Sequence, residues 1–251
     1  MKREEFVETS QVIALKDAVG TAVDAGEGYP GMVMAYGEHG TGKTWAARQL
    51  VSDHLGVYVR VMQNMTQAAF LQEICHNLAL GRPHGSTRCK QAIISALADE
   101  RQPVFVDEAE RLAPDRLEDL RDIHDITGAP VVLIGEMGLP LLVAGRGRLN
   151  DRIPDAFRVH FGDISNGDIM MYAKKAANLR LSPDAASYIG TFATGNFRRV
   201  YNAMLSLKAA ARAAGTGDID AELARKTLKA AKDKAEQAQK ALKAAQTKKG
   251  R

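Results

Sequence analysis

Cysteine, tryptophan and long apolar runs are scarce in this chain. Two cysteines, Cys75 and Cys89, among 251 residues exclude a disulfide framework and the small secreted scaffolds that depend on one. Those two stand near His76 and His84 in sequence. Without a C-x-x-C pair they read as a helix followed by a loop rather than a zinc site. No apolar run approaches the roughly 20 residues that span a bilayer, so no membrane partner is expected. Met1-Lys-Arg-Glu-Glu5 has no apolar signal segment behind it, and the expected location is cytoplasmic.

The body of the chain also lacks an excess of positive charge. Residues 221–251 hold ten Lys/Arg against three Asp/Glu, a net of +7, which leaves 24 against 27, or −3, on the other 220 residues. A basic end of this kind fits a nucleic-acid partner through phosphate neutralisation. It fits a solvated helix as well, because Leu223, Ala224, Thr227, Leu228 and Ala231 recur at helical spacing with lysines opposite. A hydrophobic content of 45% and a charged content of 25% are those of an ordinary globular chain. The length accommodates one larger domain and a small one.

What the chain does contain is a phosphate-binding loop. Residues Gly37, Glu38, His39, Gly40, Thr41, Gly42, Lys43 and Thr44 read G-x-x-x-x-G-K-T. The loop follows an apolar run at 31–36 and precedes a helix-prone stretch from Trp45 to Val51. Strand, loop and helix in that order let backbone N–H groups curl round a triphosphate, with the positive end of the helix behind them. Lys43 is expected to reach the β- and γ-phosphates and Thr44 to ligate Mg²⁺. Residues Gly37 to Trp45 are thus the expected ATP contacts.

A second motif lies about sixty residues on. Pro103-Val-Phe-Val-Asp-Glu108 is a short apolar run ending in two carboxylates, which suits a buried parallel strand. Asp107 at its tip is expected to hold Mg²⁺ through water. Glu108 is expected to orient and polarise the attacking water.

Apolar strands alternate with helical patterns from residue 31 to residue 161. Strands are expected near 31–36, 57–61, 103–107, 129–135 and 159–161. Helices are expected near 5–24, 45–51, 68–80, 88–99 and 117–127, with a Gly/Pro turn at 26–31 closing the first. This is an α/β pattern, a parallel sheet with helices on both faces. After Ser165 no further strand is expected. Helices near 167–179, 183–193, 196–214 and 218–231 make a small helical lid. The expected division is a nucleotide-binding core at 1–165, a lid at 166–232 and a basic, disordered tail at 233–251.

The order of motifs resembles the AAA+ ATPases. Gly195-Asn-Phe-Arg198 resembles their sensor-2 motif, which implies that Arg198 touches the γ-phosphate; Arg199 is the neighbouring surface cation. Leu149-Asn-Asp-Arg-Ile153 falls where such proteins place an arginine finger. Arg152 is the choice for that role, with Arg148 and Arg146 as rivals. Within the group the chain resembles the phage Mu B and Tn7 C-protein transposition ATPases. The carrying residues are Phe6 to Thr9, the Gly37–Thr44 loop, Val106-Asp-Glu-Ala109, Val132-Leu-Ile-Gly135 and Gly195 to Arg198. The chain departs from that pattern at Glu136, where sensor 1 is ordinarily Asn, Thr or Ser. The resemblance implies a ring or helical filament of identical subunits on double-stranded DNA, bound without sequence preference. It also implies recruitment of a transposase, with hydrolysis driving release. Arg82, Arg88 and Lys90 are the core's candidate DNA contacts. A nucleotide-gated protein scaffold and a secretion or helicase-loading ATPase are the competing readings.

Overall fold

The computed structural model describes residues 6–25 and 30–249. The start of the first expected helix at residue 5 and the 26–29 part of the expected turn lie outside them. The chain divides into two compact units, Ser10–Gly162 and a second that joins residues 6–9 to 163–249.

The larger unit is built on five parallel strands, β1 (Met32–Tyr36), β2 (Val57–Arg60), β3 (Val104–Asp107), β4 (Val131–Gly135) and β5 (Arg158–His160). Their order across the sheet is β2-β3-β4-β1-β5. Every residue of β3 and β4 is buried, whereas the edge strand β2 alternates between buried and accessible positions. That contrast is expected for central strands covered on both faces and an edge strand covered less completely. Met32, Met34, Val104, Val106, Val131 and Leu133 share one core cluster with Phe70, Leu71, Ile74, Ile93, Leu97, Leu117, Leu120 and Ile123. The latter are the apolar stripes of α3 (Gln67–Asn77), α4 (Ser86–Asp99) and α5 (Pro114–Thr127). Residues between those strand positions, such as Val33, Ala35, Phe105, Val132 and Ile134, are also fully buried. By the two-residue period of a strand they face the other side, where α1 (Ser10–Asp24) and α2 (Lys43–Asp53) pack on the sheet.

Helix ends follow local chemistry. The Thr66 hydroxyl accepts the Ala69 N–H at 3.2 Å and starts α3, a side-chain cap worth about 1 kcal/mol. Gly128 ends α5 at φ 67°, a conformation that costs glycine little. Several pieces differ from the sequence reading. The first helix begins at Ser10 rather than near residue 5. Two short helices, α6 (Leu139–Ala144) and α7 (Gly147–Asn150), fill the connection between β4 and β5. They are too short to show a helical period, which is why the sequence did not announce them.

The second unit packs α8 (Asn166–Tyr172), α9 (Pro183–Ala193), α10 (Phe197–Ala214) and α11 (Ala221–Lys249). Val7 joins their apolar cluster, with Ile169, Ile189, Val200, Leu207, Ala224 and Leu228. Side-chain oxygens of Ser165, Ser182 and Asn196 cap α8, α9 and α10. Strands do not stop at residue 165: β6 (Arg180–Leu181) and β7 (Asp218–Ile219) form a two-residue parallel ladder, braced by an Arg180–Asp218 ion pair. Such a ladder leaves no periodic trace. Helix α11 continues to Lys249 instead of ending near residue 232. Alanine and lysine are strong helix formers, so composition that reads as a polar tail also sustains a helix. Among the described residues no helix is long and apolar enough to cross a membrane.

Candidate active site

Parallel strands all end at one edge of a sheet, and the motif residues meet there. β1 stops at Tyr36, the loop Gly37–Gly42 follows, and α2 opens at Lys43. Gly42 turns the chain into the helix at φ 105°, ψ 0°, which a Cβ would disfavour. Lys43 is buried; its ammonium donates to the carbonyls of Gly37 at 2.7 Å and Glu38 at 2.8 Å. Burial lowers its proton affinity, opposed in decreasing order by the charges of Glu136, Asp107, Glu110 and Glu108. The Thr41 hydroxyl donates to Glu38 O at 2.8 Å and braces the loop from within. Glu38 and His39 are solvent-facing neighbours, 3.9 Å apart, and Trp45 is 58% exposed.

The β3 tip reaches the same place. Asp107 is buried. Its Oδ2 accepts from the Thr44 hydroxyl at 2.9 Å and from the Tyr58 hydroxyl at 2.6 Å, and its Oδ1 accepts the Glu108 N–H at 3.0 Å. Burial and then the hydrogen bond to Asp107 push the Tyr58 phenol up to about 12. Glu108 adopts a left-handed backbone, φ 59° and ψ 39°, which costs a non-glycine residue about 1 kcal/mol or more. Its carboxylate is held by Arg60 at 2.8 Å and Arg111 at 3.0 Å. Burial alone would raise its pKa; the hydrogen bond from Arg60 and the charge of Arg111 outweigh that and hold it below the usual carboxylate range.

Two further acids complete the arrangement. The Glu110 carboxylate accepts the Glu136 N–H at 3.2 Å. Burial and the nearby Glu108 raise its pKa. It lies so close over Gly135 that a Cβ at that position would collide with it. Gly135 pairs with Tyr36 in the sheet register, which sets Glu136 beside the start of the loop. Glu136 itself is exposed.

Gly37 to Trp45, Asp107 and Glu108 therefore come together at one edge of the sheet. The donor set suits Mg²⁺: a hydroxyl and a carboxylate, both hard oxygens, 2.9 Å apart, leaving other positions to phosphate oxygens and water. Arg152 lies elsewhere in the same unit. Arg152 donates to both oxygens of Asp125, at 2.9 and 3.0 Å. Its carbonyl accepts the Met32 N–H at 3.3 Å, which puts it at the start of β1, the opposite edge of the sheet from the loop. Arg146 lies 3.8 Å from Glu118, and Arg148 is exposed with no ion pair among the described residues. Arg198 is exposed on the first turn of α10 in the other unit, and Arg199 donates to Thr194.

Of the candidate core DNA contacts, Arg82 is paired with Glu73, and Lys90 bridges Asp119 and Asp122 at 3.0 and 2.6 Å. Only Arg88 of the three stays without an ion pair among the described residues. Cys75 and Cys89 do meet, both fully buried. Burial and the second thiol push Cys75 up to about 12, so it is an unreactive core thiol. Among the described residues no cluster of three metal-ligating side chains forms. Sequence reasoning missed Tyr58, Arg60, Glu110 and Arg111. The available signal was adjacency: β2 pairs with β3 in a register that sets Arg60 opposite Asp107.

A family model described as an AAA domain matches residues 26–143. No curated protein matches the chain significantly. Among solved structures, Cdc6p from Pyrobaculum aerophilum superposes with a TM-score of 0.64 at 20% identity, covering 91% of this chain and 68% of that one. The ORC1 protein of Aeropyrum pernix, solved in complex with DNA, gives 0.58 at 18% identity over 89% and 65%. The Thermotoga maritima RuvB Holliday junction branch migration motor gives 0.53 at 18% identity over 88% and 68%. The fold is that of a P-loop AAA+ protein: a five-stranded parallel sheet flanked by helices, with C-terminal helices following.

Proposed function

We propose that this chain is a Mg²⁺-dependent ATPase whose bound nucleotide controls its assembly on double-stranded DNA. The observation that carries the proposal is the convergence of Lys43, Thr44, Asp107 and Glu108 at one sheet edge. In this reading the backbone of Gly37–Gly42 cradles the phosphates and Lys43 turns from its loop carbonyls to the β- and γ-phosphates. Thr44 and Asp107 hold Mg²⁺, which neutralises phosphate charge. Glu108 leaves Arg60 and Arg111 to orient the attacking water. Arg198 contacts the γ-phosphate from the same subunit. Arg152 acts on a neighbouring subunit's nucleotide once it releases Asp125; Arg148 is its untethered rival.

The DNA partner is supported by two independent features. One is the likeness to ORC1 solved with DNA and to the RuvB motor. The other is the basic 221–251 end, where Lys229, Lys232, Lys234 and Lys240 are exposed on α11. The finer reading is a transposition ATPase that assembles as a ring or filament and recruits a transposase; it rests on the sequence resemblance to the Mu B and Tn7 C-protein group. Helicase loading is the competing reading, and it too rests on the sequence resemblance. The Arg60–Glu108–Arg111 contacts favour a scaffold that binds ATP and hydrolyses it little.

The test is ATP hydrolysis by the purified chain with and without plasmid DNA, paired with imaging in a non-hydrolysable analogue. Stimulation by DNA and ATP-dependent filaments or rings support the ATPase reading. ATP-dependent assembly with no turnover selects the scaffold. Absence of ATP binding in magnesium removes all of these readings.

A further inference from the structure

We propose that Tyr58 is a positioning residue for the Asp107 carboxylate, and through it for Mg²⁺. This inference rests on the nucleotide site proposed above and concerns a residue outside both of its sequence motifs.

Asp107 receives three hydrogen bonds. The Glu108 N–H comes from the next residue in the chain, and the Thr44 hydroxyl comes from the phosphate-binding helix. Tyr58 alone reaches in from the edge strand β2. It does so because β2 runs parallel to β3, with Tyr58 opposite Phe105 and Arg60 opposite Asp107. The phenol is half-buried, and the Arg48 guanidinium sits 5.5 Å from its ring centroid. Arg48 lies four residues after Thr44 on α2, so the two share one helix face. The contacts form a closed circuit: Thr44 to Asp107, Asp107 to Tyr58, Tyr58 to Arg48, and Arg48 back to Thr44 along one turn of α2.

The circuit has a consequence for metal binding. The carboxylate of Asp107 can rotate about its last side-chain bond, and only donors on its oxygens prevent that. Thr44 and Tyr58 donate to the same oxygen, Oδ2. When the Thr44 oxygen engages a cation, the Tyr58 hydroxyl remains as a donor from an element that contributes nothing else to the cation. It keeps Oδ1 and Oδ2 in a fixed orientation toward the metal position. Loss of such an outer hydrogen bond commonly costs about 10–100-fold in metal affinity. A tyrosine that served only to fill space would be replaceable by phenylalanine without effect on the metal.

The experiment is Tyr58→Phe in the full chain, with Mg²⁺ titrated against a fluorescent, non-hydrolysable ATP analogue so that no turnover is needed. The half-saturating Mg²⁺ concentration is expected to rise by about tenfold, while analogue binding in the presence of a chelator stays as in wild type. A double-mutant cycle with Asp107→Asn provides a second arm: once Asp107 is neutral, Tyr58→Phe should shift the Mg²⁺ midpoint by less than twofold. An unchanged midpoint in the single variant, or equal shifts in both backgrounds, would overturn the proposal. A wild-type chain that binds the analogue without any response to Mg²⁺ would instead remove the nucleotide-site reading itself.

Discussion

Lys43 stands within the field of four carboxylates, with Glu136 contributing most. Burial lowers its proton affinity and the four carboxylates oppose that loss. Lys43→Ala should lower ATP affinity by more than about 100-fold, because the phosphate contact proposed for it is charge-assisted; fluorescent-nucleotide titration measures it. DNA filaments formed unchanged by that variant would break the proposed coupling of nucleotide to assembly. Glu110 supports a pH prediction. Its pKa is raised in the folded state, so the stability it contributes is complete below the unfolded value, about 4.3. That stability is lost as pH rises through the folded value. Glu110→Gln keeps a neutral amide throughout. Its melting temperature relative to wild type should therefore climb by a few degrees between pH 4 and pH 7.5. A difference that stays flat across that range would show that Glu110 carries no raised affinity for a proton.

At the scale of elements, the carboxylate proposed to orient the attacking water is governed by its neighbours. Arg60 ends β2, and Arg111 lies in the 3-10 turn Ala109–Arg111 directly after Glu108. Together they tie the Glu108 carboxylate to the edge of the sheet. Arg60→Ala removes the closer of the two partners. Basal ATP hydrolysis should rise severalfold and stimulation by DNA should shrink, as measured by phosphate release. A basal rate below that of wild type would mean that Arg60 supports the reaction rather than restraining Glu108. The Arg60 contact is not visible along the chain, since Arg60 and Glu108 stand 48 positions apart and meet only because β2 lies next to β3.

At the scale of the whole molecule, charge is segregated. The 220 residues before Ala221 are slightly acidic, and the last 31 carry a net of +7, mostly along α11. Lys90 and Arg82, which sequence alone offers as DNA contacts, are already neutralised by acids of their own unit. Binding to duplex DNA through six to ten phosphate contacts should therefore weaken by about 10³–10⁵ between 50 and 200 mM salt. Changing Lys229, Lys232 and Lys240 to Gln should flatten that dependence. A binding constant indifferent to salt would rule out phosphate neutralisation as the source of affinity.

Local sequence was sufficient for the parts of this protein whose chemistry is contiguous. The Gly37–Thr44 loop and the β3 tip at Asp107 and Glu108 are read directly, because a phosphate cradle and a carboxylate at a strand end each need a short run of particular residues. The parallel α/β core is read from its buried apolar strands in the same way. Tertiary structure decided what depends on neighbours far apart in the chain. Strand order brought Tyr58 and Arg60 to Asp107 and Glu108, the Glu110 carboxylate came to lie over Gly135, and Arg152 is tethered by an ion pair that Arg148 lacks among the described residues. These are pairwise contacts across the sheet and between helices, and no local pattern encodes which strand will lie beside which.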